Sequence, residues 1–374
     1  MPPKNLPTIW NAPPHTIAKI EMLRAYLVAW FQILGRSRRG QDLLYVDGFA
    51  GPGEYSNYPN GSPLASLSAA KQALELTGSQ WIASKIHCAF IEADTDRFNH
   101  LVQKIESVEH GSKIETHWYR DEFTSGLRKV MADVPRPFTA QHPLFVFIDP
   151  FGATGVPFST VNQLLASPCS EVLLNLDADG IGRIFHAGEH AAHEQNLNAI
   201  FDGDEWNTLL DTKDPSPVLH RKVLQLYKAK LRSIPQVKYV FAFEMRTSAY
   251  ALNYYLVFAS QHPLGLEKMK EAMRKIDQSG NYCFSDANVV QNSLFRFDEP
   301  QQHSLDLYNH FRGKRATYDE LRDHALNESP FPNPKSMLRD LEVKRNLIEE
   351  VKGKDSRRRK GTFNEGKLIY VKFR

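Results

Sequence analysis

Five short runs in the first half of the chain read as strands, and a stretch with helical spacing follows each of the first four. They are LLYV at 43–46, KIHCAFIE at 85–92, KIETHWY at 113–119, LFVFID at 144–149 and SEVLLNL at 170–176. Runs such as LLYV and LFVFI are apolar at every position, as strands buried on both faces of a sheet are. Between the runs, residues 62–76, 94–108, 121–134 and 156–167 space their apolar residues three and four apart, as amphipathic helices do. This alternation predicts a doubly wound, largely parallel α/β sheet. An amphipathic helix over 16–34 precedes the first strand, with Thr16 as its expected cap. Ser62 is the expected cap of the next helix, with Pro63 at its first position.

The rhythm breaks at 181–220, which is rich in His, Asn, Asp and Glu and reads as a helical insertion or lid. A helix over 221–233 then leads to apolar runs at 237–245 and 251–260, expected as a sixth strand and an antiparallel seventh. A helix over 265–276 closes this part. The expected division is a cofactor-fold domain over 1–280, a linker over 281–303 and a C-terminal domain over 304–374. The last contains three helical segments, SLDLYNHFR, YDELRDHAL and NPKSMLRDLEVKRNLIEEV, and a hairpin-like end, GTFNEGKLIYVKF. Three helices with a basic hairpin describe a winged helix.

Composition narrows the class of protein. A length of 374 residues, 42% of them hydrophobic, is enough for two or three domains with a sizeable core. No run of about 18 apolar residues predicts a membrane helix, and the N-terminal MPPKNLPTIWNAPP has no apolar signal core. Cys88, Cys169 and Cys283 are too scattered for a disulfide framework or a Cys-rich metal site, so a cytoplasmic location is expected. The net charge of +3 conceals an asymmetry. Residues 335–374 carry 13 Lys and Arg against six Asp and Glu, a local +7 that leaves −4 for the rest. A basic tail on a weakly acidic body points to nucleic-acid contact, DNA or RNA. Lys335, Arg339 and Lys344 are the candidate groove-facing residues. Arg357, Arg358, Arg359 and Lys360 are the candidate phosphate contacts at the wing tip.

The first strand ends in DGFAGPG at 47–53. Gly48, Gly51 and Gly53 let the backbone turn tightly and approach a ligand. In nucleotide folds a cofactor sits at this carboxyl end of the strands. Glu92 ends the next strand, placed to accept hydrogen bonds from ribose hydroxyls. The spacing departs from the dinucleotide fingerprint, and no P-loop motif occurs. The turn Phe49-Ala50-Gly51-Pro52-Gly53 instead resembles the F-x-G-x-G motif of S-adenosylmethionine (SAM)-dependent amino-methyltransferases. That resemblance implies SAM as cofactor, held by Asp47, Gly48, Phe49, Ala50, Gly51 and Gly53, with Glu92 on the ribose and Asp121 near the adenine.

The fourth strand ends in FIDPFG, which places Asp149, Pro150, Phe151 and Gly152 together. A carboxylate and a backbone carbonyl there can accept the two N–H bonds of an exocyclic amine and aim its lone pair at a methyl group, while an aromatic ring stacks on the base. The tetrad resembles the D-P-P-Y of nucleic-acid amino-methyltransferases, and D-P-F-G resembles the form in tRNA guanine dimethyltransferases. Together with PHTIAK (14–19), YVDGFAGPGEY (45–55), GSPLAS (61–66), FIEAD (90–94) and YYLVFAS (254–260), these motifs resemble the three-Cys-motif partner protein family, TcmP. The resemblance implies a Rossmann-like methyltransferase sheet, a C-terminal winged helix and a radical-SAM-like three-Cys protein as partner. His15, Thr16 and Lys19 match its N-terminal motif and are placed to close over the cofactor.

Two other constellations carry less. His186, His190 and His193 have the spacing of one helix face but not the H-E-x-x-H order, and no metal is expected. Glu244 and Arg246 are expected as an ion pair. Two further functions fit the same features: a non-catalytic DNA-binding or partner-binding scaffold on a methyltransferase fold, and a small-molecule methyltransferase.

Overall fold

A computed structural model describes residues 7–150, 155–210, 214–247, 249, 251–277, 283–285, 301–354 and 358–374. The chain opens with α1 (Pro14–Ser37), then β1 (Leu43–Asp47), α2 (Ser62–Thr77), β2 (Ile86–Glu92), α3 (Thr95–Glu106) and β3 (Ile114–Arg120). It continues with α4 (Phe123–Asp133), the single turn α5 (Arg136–Thr139), β4 (Leu144–Ile148), α6 (Phe158–Ala166) and β5 (Ser170–Leu176). The expected insertion holds α7 (Ala178–His186) and α8 (Glu194–Phe201), with short 3-10 turns between and after them. Then come α9 (Ser216–Arg232), β6 (Tyr239–Arg246), β7 (Leu252–Ser260), α10 (Pro263–Ile276) and β8 (Cys283–Ser285).

These strands form one sheet in the order β3-β2-β1-β4-β5-β7-β6-β8. The first five pair in parallel, and β7 runs antiparallel to both β5 and β6. Alternate side chains of each strand feed opposite layers. Leu44 and Val46 pack with α4, α6 and α9, whereas Leu43 and Tyr45 pack with α1, α2 and α10. Both faces are therefore covered, which explains why the central strands are apolar throughout. The sheet order reverses between β1 and β4, and that switch point opens a crevice at the carboxyl ends of the strands. The short β8, parallel to β6, lies in the stretch expected as linker.

Two helix starts differ from expectation. Thr16 lies inside the first turn of α1, and its N–H donates to the Pro13 carbonyl at 2.9 Å. Pro14 begins that helix without a side-chain cap, its fixed φ suiting the first position. Gly61 rather than Ser62 precedes α2. An added Cβ at Gly61 would come within 2.6 Å of the Gly53 backbone, so a capping side chain does not fit there.

The C-terminal part comprises α11 (Gln301–Phe311), β9 (Arg315–Ala316), α12 (Tyr318–Glu328), α13 (Lys335–Arg339), β10 (Ile348–Gly353) and β11 (Leu368–Phe373). Its strands form an antiparallel sheet, β10-β11-β9, over a separate core that includes Leu321, Leu338, Val371 and Phe373. The Thr317 hydroxyl and Glu320 carboxylate form a reciprocal capping box at the start of α12. The helix expected over 333–351 is shorter. It runs through α13 into a π turn over Asp340–Lys344 and stops at Asn346, whose φ of 54° is left-handed. Asn tolerates that conformation, and Ile348 then starts a strand. Lys344 thus sits on the π turn and not within a long recognition helix.

This part is bonded to the rest. Lys270 of α10 is fully buried, and its ammonium donates to the carbonyls of Ala325 (3.2 Å), Ser329 (2.5 Å) and Phe331 (3.3 Å). Those groups lie at and beyond the end of α12, where helix carbonyls lack intrahelical partners. Burial pushes the Lys270 pKa well down. Tyr239 Oη donates to Asp323, and the Val240 N–H donates to Asn327, both from β6.

Candidate functional site

A cavity of about 370 Å³ opens at the carboxyl ends of β1, β4 and β5, beside the start of β7. The glycine turn forms one wall. β1 ends on Asp47, which is fully buried and accepts the Phe49 N–H at 3.3 Å and the Tyr45 hydroxyl at 3.4 Å. Burial raises its carboxyl pKa to about 7. The Gly48 N–H donates to the Phe147 carbonyl at 2.9 Å. A Cβ on Gly48 would stand 2.5 Å from the Phe123 ring, so only glycine allows the turn this close to its neighbours. Ala50 donates to the Ile91 carbonyl at 2.9 Å. Gly51 takes φ +63°, a conformation costly for any residue with a Cβ. Gly53, at φ +87°, accepts the Gly61 N–H at 2.7 Å. Phe49, Ala50 and Gly51 face the cavity, and Phe49 also stacks on Phe123.

Glu92 supports this wall without forming it. Its Oε2 accepts the Gly51 N–H at 2.8 Å and its Oε1 accepts the Asp94 N–H at 2.9 Å. Burial pushes its pKa up. Each oxygen keeps a lone pair, but the residue is not on the cavity wall, and its role visible here is to clamp the glycine turn to β2. Asp121 is also off the wall. Its carboxylate accepts the Glu122 N–H at 2.9 Å and pairs with Lys129 at 2.8 Å, which holds its pKa below the usual range. The side chain's partner here is instead Lys129, in the second turn of α4.

Asp149 and Pro150 both line the cavity. Asp149 Oδ2 receives the Lys19 ammonium at 2.5 Å, and its Oδ1 receives the Asn175 amide at 3.0 Å. Lys19 is buried on α1 and lies 5.1 Å from the centroid of the Tyr254 ring. Phe151 and Gly152 lie outside the described residues. Because the Asn175 amide nitrogen is given to Asp149, its Oδ1 faces the other way. That oxygen is buried and has no hydrogen-bond partner among the described residues. Next to it, Asp177 caps α7 through the Gly180 N–H at 2.7 Å. Burial raises the Asp177 pKa, and Arg183 one turn further opposes the rise.

Sequence reasoning missed Asn175, Asp177, Arg183, Asn253, Tyr254, Trp10 and Tyr55, all of which line the cavity. Asn175 and Asp177 were within reach of it: the crevice rule points to whatever ends β5, here NLDAD. Asn253 and Tyr254 were not, because only the pairing of β7 against β5 brings them to this end of the sheet. His15, Thr16 and Lys19, singled out from PHTIAK, line the same cavity.

The donor set suits SAM. The cofactor carries an ammonium, a carboxylate, a sulfonium, a ribose and an adenine. Asp177 offers an anionic partner, Arg183 a cationic one, and Trp10, Phe49 and Tyr55 flat apolar surfaces. The buried Asn175 Oδ1 still needs a donor. Clefts of this size with a few convergent polar groups are typical of small-molecule sites.

Elsewhere, Arg246 and Glu244 form the expected ion pair at 2.5 Å. Among the described residues no group of three converging metal-type ligands includes His186, His190 or His193. On the C-terminal part, Lys335, Arg339, Arg359 and Lys360 are exposed, and Arg357 lies outside the described residues. Lys344 is exposed, 3.9 Å from Asp340. Arg358 departs from expectation. It is half-buried, paired with Glu342, donates to the Thr362 carbonyl at 2.8 Å and lies over the Phe363 ring. A guanidinium with an internal carboxylate partner is structural and not a free phosphate contact.

No family model matches the chain, and no curated protein matches it. Solved structures resemble it distantly. Trm1 from Pyrococcus horikoshii, in complex with SAM, is 12% identical over 74% of this chain, with a TM-score of 0.36. The match spans 62% of the length of Trm1. The O-methyltransferase from Bacillus cereus, in complex with SAH, is 11% identical over 63% of this chain and 80% of its own, with a TM-score of 0.34. A DUF574 family protein from Streptomyces avermitilis is 11% identical over 64% and 83%, with a TM-score of 0.33. The chemistry of the site is therefore read from its own residues. No helix among the described residues is long and apolar enough to cross a membrane.

Proposed function

We propose that this chain is a SAM-dependent methyltransferase that acts on an exocyclic amine of a nucleic-acid base. The observation that carries the reading is the end of β4 on the cavity wall, where the Asp149 carboxylate is followed by Pro150. Two neighbouring acceptors beside a glycine turn suit an NH2 group entering a cofactor crevice. When bound, SAM supplies an electrophilic methyl group on its sulfonium. Asp149 and the Pro150 carbonyl would each accept one N–H of the incoming amine, and the lone pair would then point away from both. The Asn175 amide, which donates to Asp149 Oδ1, would hold the carboxylate in place. Methylation of the nitrogen leaves it one proton in excess, and the Asp149 carboxylate, whose side chain is 22% exposed, is placed to take that proton.

Lys19 has a defined part in this reading. Its ammonium occupies the position on Asp149 that the substrate amine would take, so it would shift aside as the acceptor enters. Its contact with the Tyr254 face gives the displaced charge a second partner.

The C-terminal part has the element order of a winged helix: helix, short strand, two helices, hairpin. Its exposed Lys335, Arg339, Lys344, Arg359 and Lys360 support a role in holding nucleic acid by its phosphates. DNA and RNA both fit that chemistry. A radical-SAM-like three-Cys partner is implied by the TcmP resemblance alone.

The test has two parts. Calorimetric titration with SAM and with S-adenosylhomocysteine should give one site per chain. Labelled methyl from SAM should then appear in bulk tRNA, rRNA or DNA with the wild type and not with Asp149→Asn. Absence of SAM binding would overturn the cofactor assignment. One observation favours a second reading: the closed Lys19–Asp149 pair is what a scaffold that no longer transfers methyl groups would keep. SAM binding and salt-dependent nucleic-acid binding without any transfer would decide for that reading.

A further inference from the structure

At the opposite end of the sheet, three side chains converge that the cofactor site does not use. β2 and β3 pair so that His87 lies beside Glu115, and Glu115 and His117, two residues apart, share its face. His87 Nδ1 is 3.0 Å from His117 Nε2 and 3.4 Å from Glu115 Oε2. One ligand atom from each of the three lies within 4.8 Å of the others. Two nitrogens bound about 2.05 Å from a tetrahedral zinc ion stand roughly 3.3 Å apart, and an oxygen stands at a similar distance. The spacings seen here, 3.0 and 3.4 Å, bracket that value.

We infer that His87, His117 and Glu115 form a binding site for a divalent first-row metal of the zinc type, with the fourth position open to water. Two imidazole nitrogens and one carboxylate oxygen are a ligand set that zinc takes with an open position. The backbone fixes the site in advance, since all three residues are on paired strands and not on loops. Without a metal, two imidazole nitrogens in contact can share only one proton between them.

The surroundings fit this role. Lys85 takes the other oxygen of Glu115, which leaves Oε2 turned to the histidines. The Glu115 side chain is 38% exposed, which gives an ion a route in from the edge of the sheet. The cluster sits near the amino ends of β2 and β3, so the metal would pin the edge strand to its neighbour and not touch the acceptor.

The experiment uses the full chain, treated with a chelator and dialysed against Zn²⁺, with metal counted by mass spectrometry. The wild type should bind one zinc per chain and gain thermal stability on binding. His87→Asn and His117→Gln should each weaken binding by more than about tenfold. The His186→Gln/His190→Gln/His193→Gln variant should bind as the wild type does. No zinc in the wild type, or zinc lost only in the triple variant, overturns the assignment. Should a β2 or β3 variant fail to fold, Co²⁺ substitution of the wild type replaces it. Visible d–d bands of a low-coordinate site support the inference, and the pale spectrum of hexa-aqua cobalt overturns it.

Discussion

Lys19 and Asp149 meet at 2.5 Å, joining the first helix to the end of the fourth strand across 130 residues of sequence. The side chains are 7% and 22% exposed, so the contact is shielded from most screening. The proposed reaction needs that carboxylate for the acceptor. Asp149→Asn should lower methyl transfer by about 100-fold or more, the size expected when one positioned polar group is lost from an active site. SAM affinity should change by less than about threefold. Lys19→Met should behave differently: it leaves a part-buried carboxylate without its cation and should destabilise the fold by roughly 1–3 kcal/mol. Single-turnover assays beside urea unfolding separate the two effects.

Asp47 gives a pH dependence with a definite sign. Its folded pKa is raised to about 7, whereas an aspartate in the unfolded chain titrates near 3.8. Between those values the folded state binds more protons than the unfolded one, so stability falls as pH rises. The penalty is absent below about pH 4 and complete above about pH 7. Asp47→Asn should abolish that part of the slope and be more stable than the wild type at pH 8, but not at pH 4. Urea midpoints of both proteins across pH 4–8 measure it.

Lys270→Met should loosen the C-terminal part. It removes the donor from three carbonyls in a dry setting and should cost about 3 kcal/mol. The loss should appear as faster cleavage after α10 in limited proteolysis, with the SAM affinity of the remainder unchanged.

The basic residues of the C-terminal part should divide into two groups. Arg359→Ala/Lys360→Ala should weaken nucleic-acid binding and reduce the slope of log affinity against log salt by up to about two. Arg358→Ala should leave that slope unchanged and lower the thermal midpoint instead, because Glu342 would lose its partner. Filter binding across a salt series and thermal melts check both.

The parts of the fold legible in the sequence were those written in local pattern. The runs from LLYV to SEVLLNL fell within one or two residues of β1 to β5; β1, β2 and β4 are buried at every position, which leaves little choice but an apolar composition, whereas the partly exposed edge strand β3 was marked by alternation. The antiparallel seventh strand was also expected. The long helix over 333–351 was misread because its spacing continues smoothly through Asn346. A single left-handed residue ends it, and periodicity does not register a φ angle. In the site, the glycine turn and Asp149 were legible as motifs. Asn253 and Tyr254 were not, since each carries meaning only through a neighbour distant in sequence. Arg358 was misassigned for the same reason: a run of four basic residues does not reveal that one of them faces Glu342.

The three carbonyls gathered on Lys270 have a geometric consequence. They lock the end of α12 to α10, and Tyr239 and Asn327 lock the same helix to β6. If nucleic acid binds as proposed, these bonds tie the basic surface around α13 to the domain that carries the cavity, like the jaws of a set caliper. A nucleic acid held by its phosphates at one jaw would present to the other only the base that lies one particular span away. Selection among identical bases would then be made by distance along the strand, with no side chain reading the letters between.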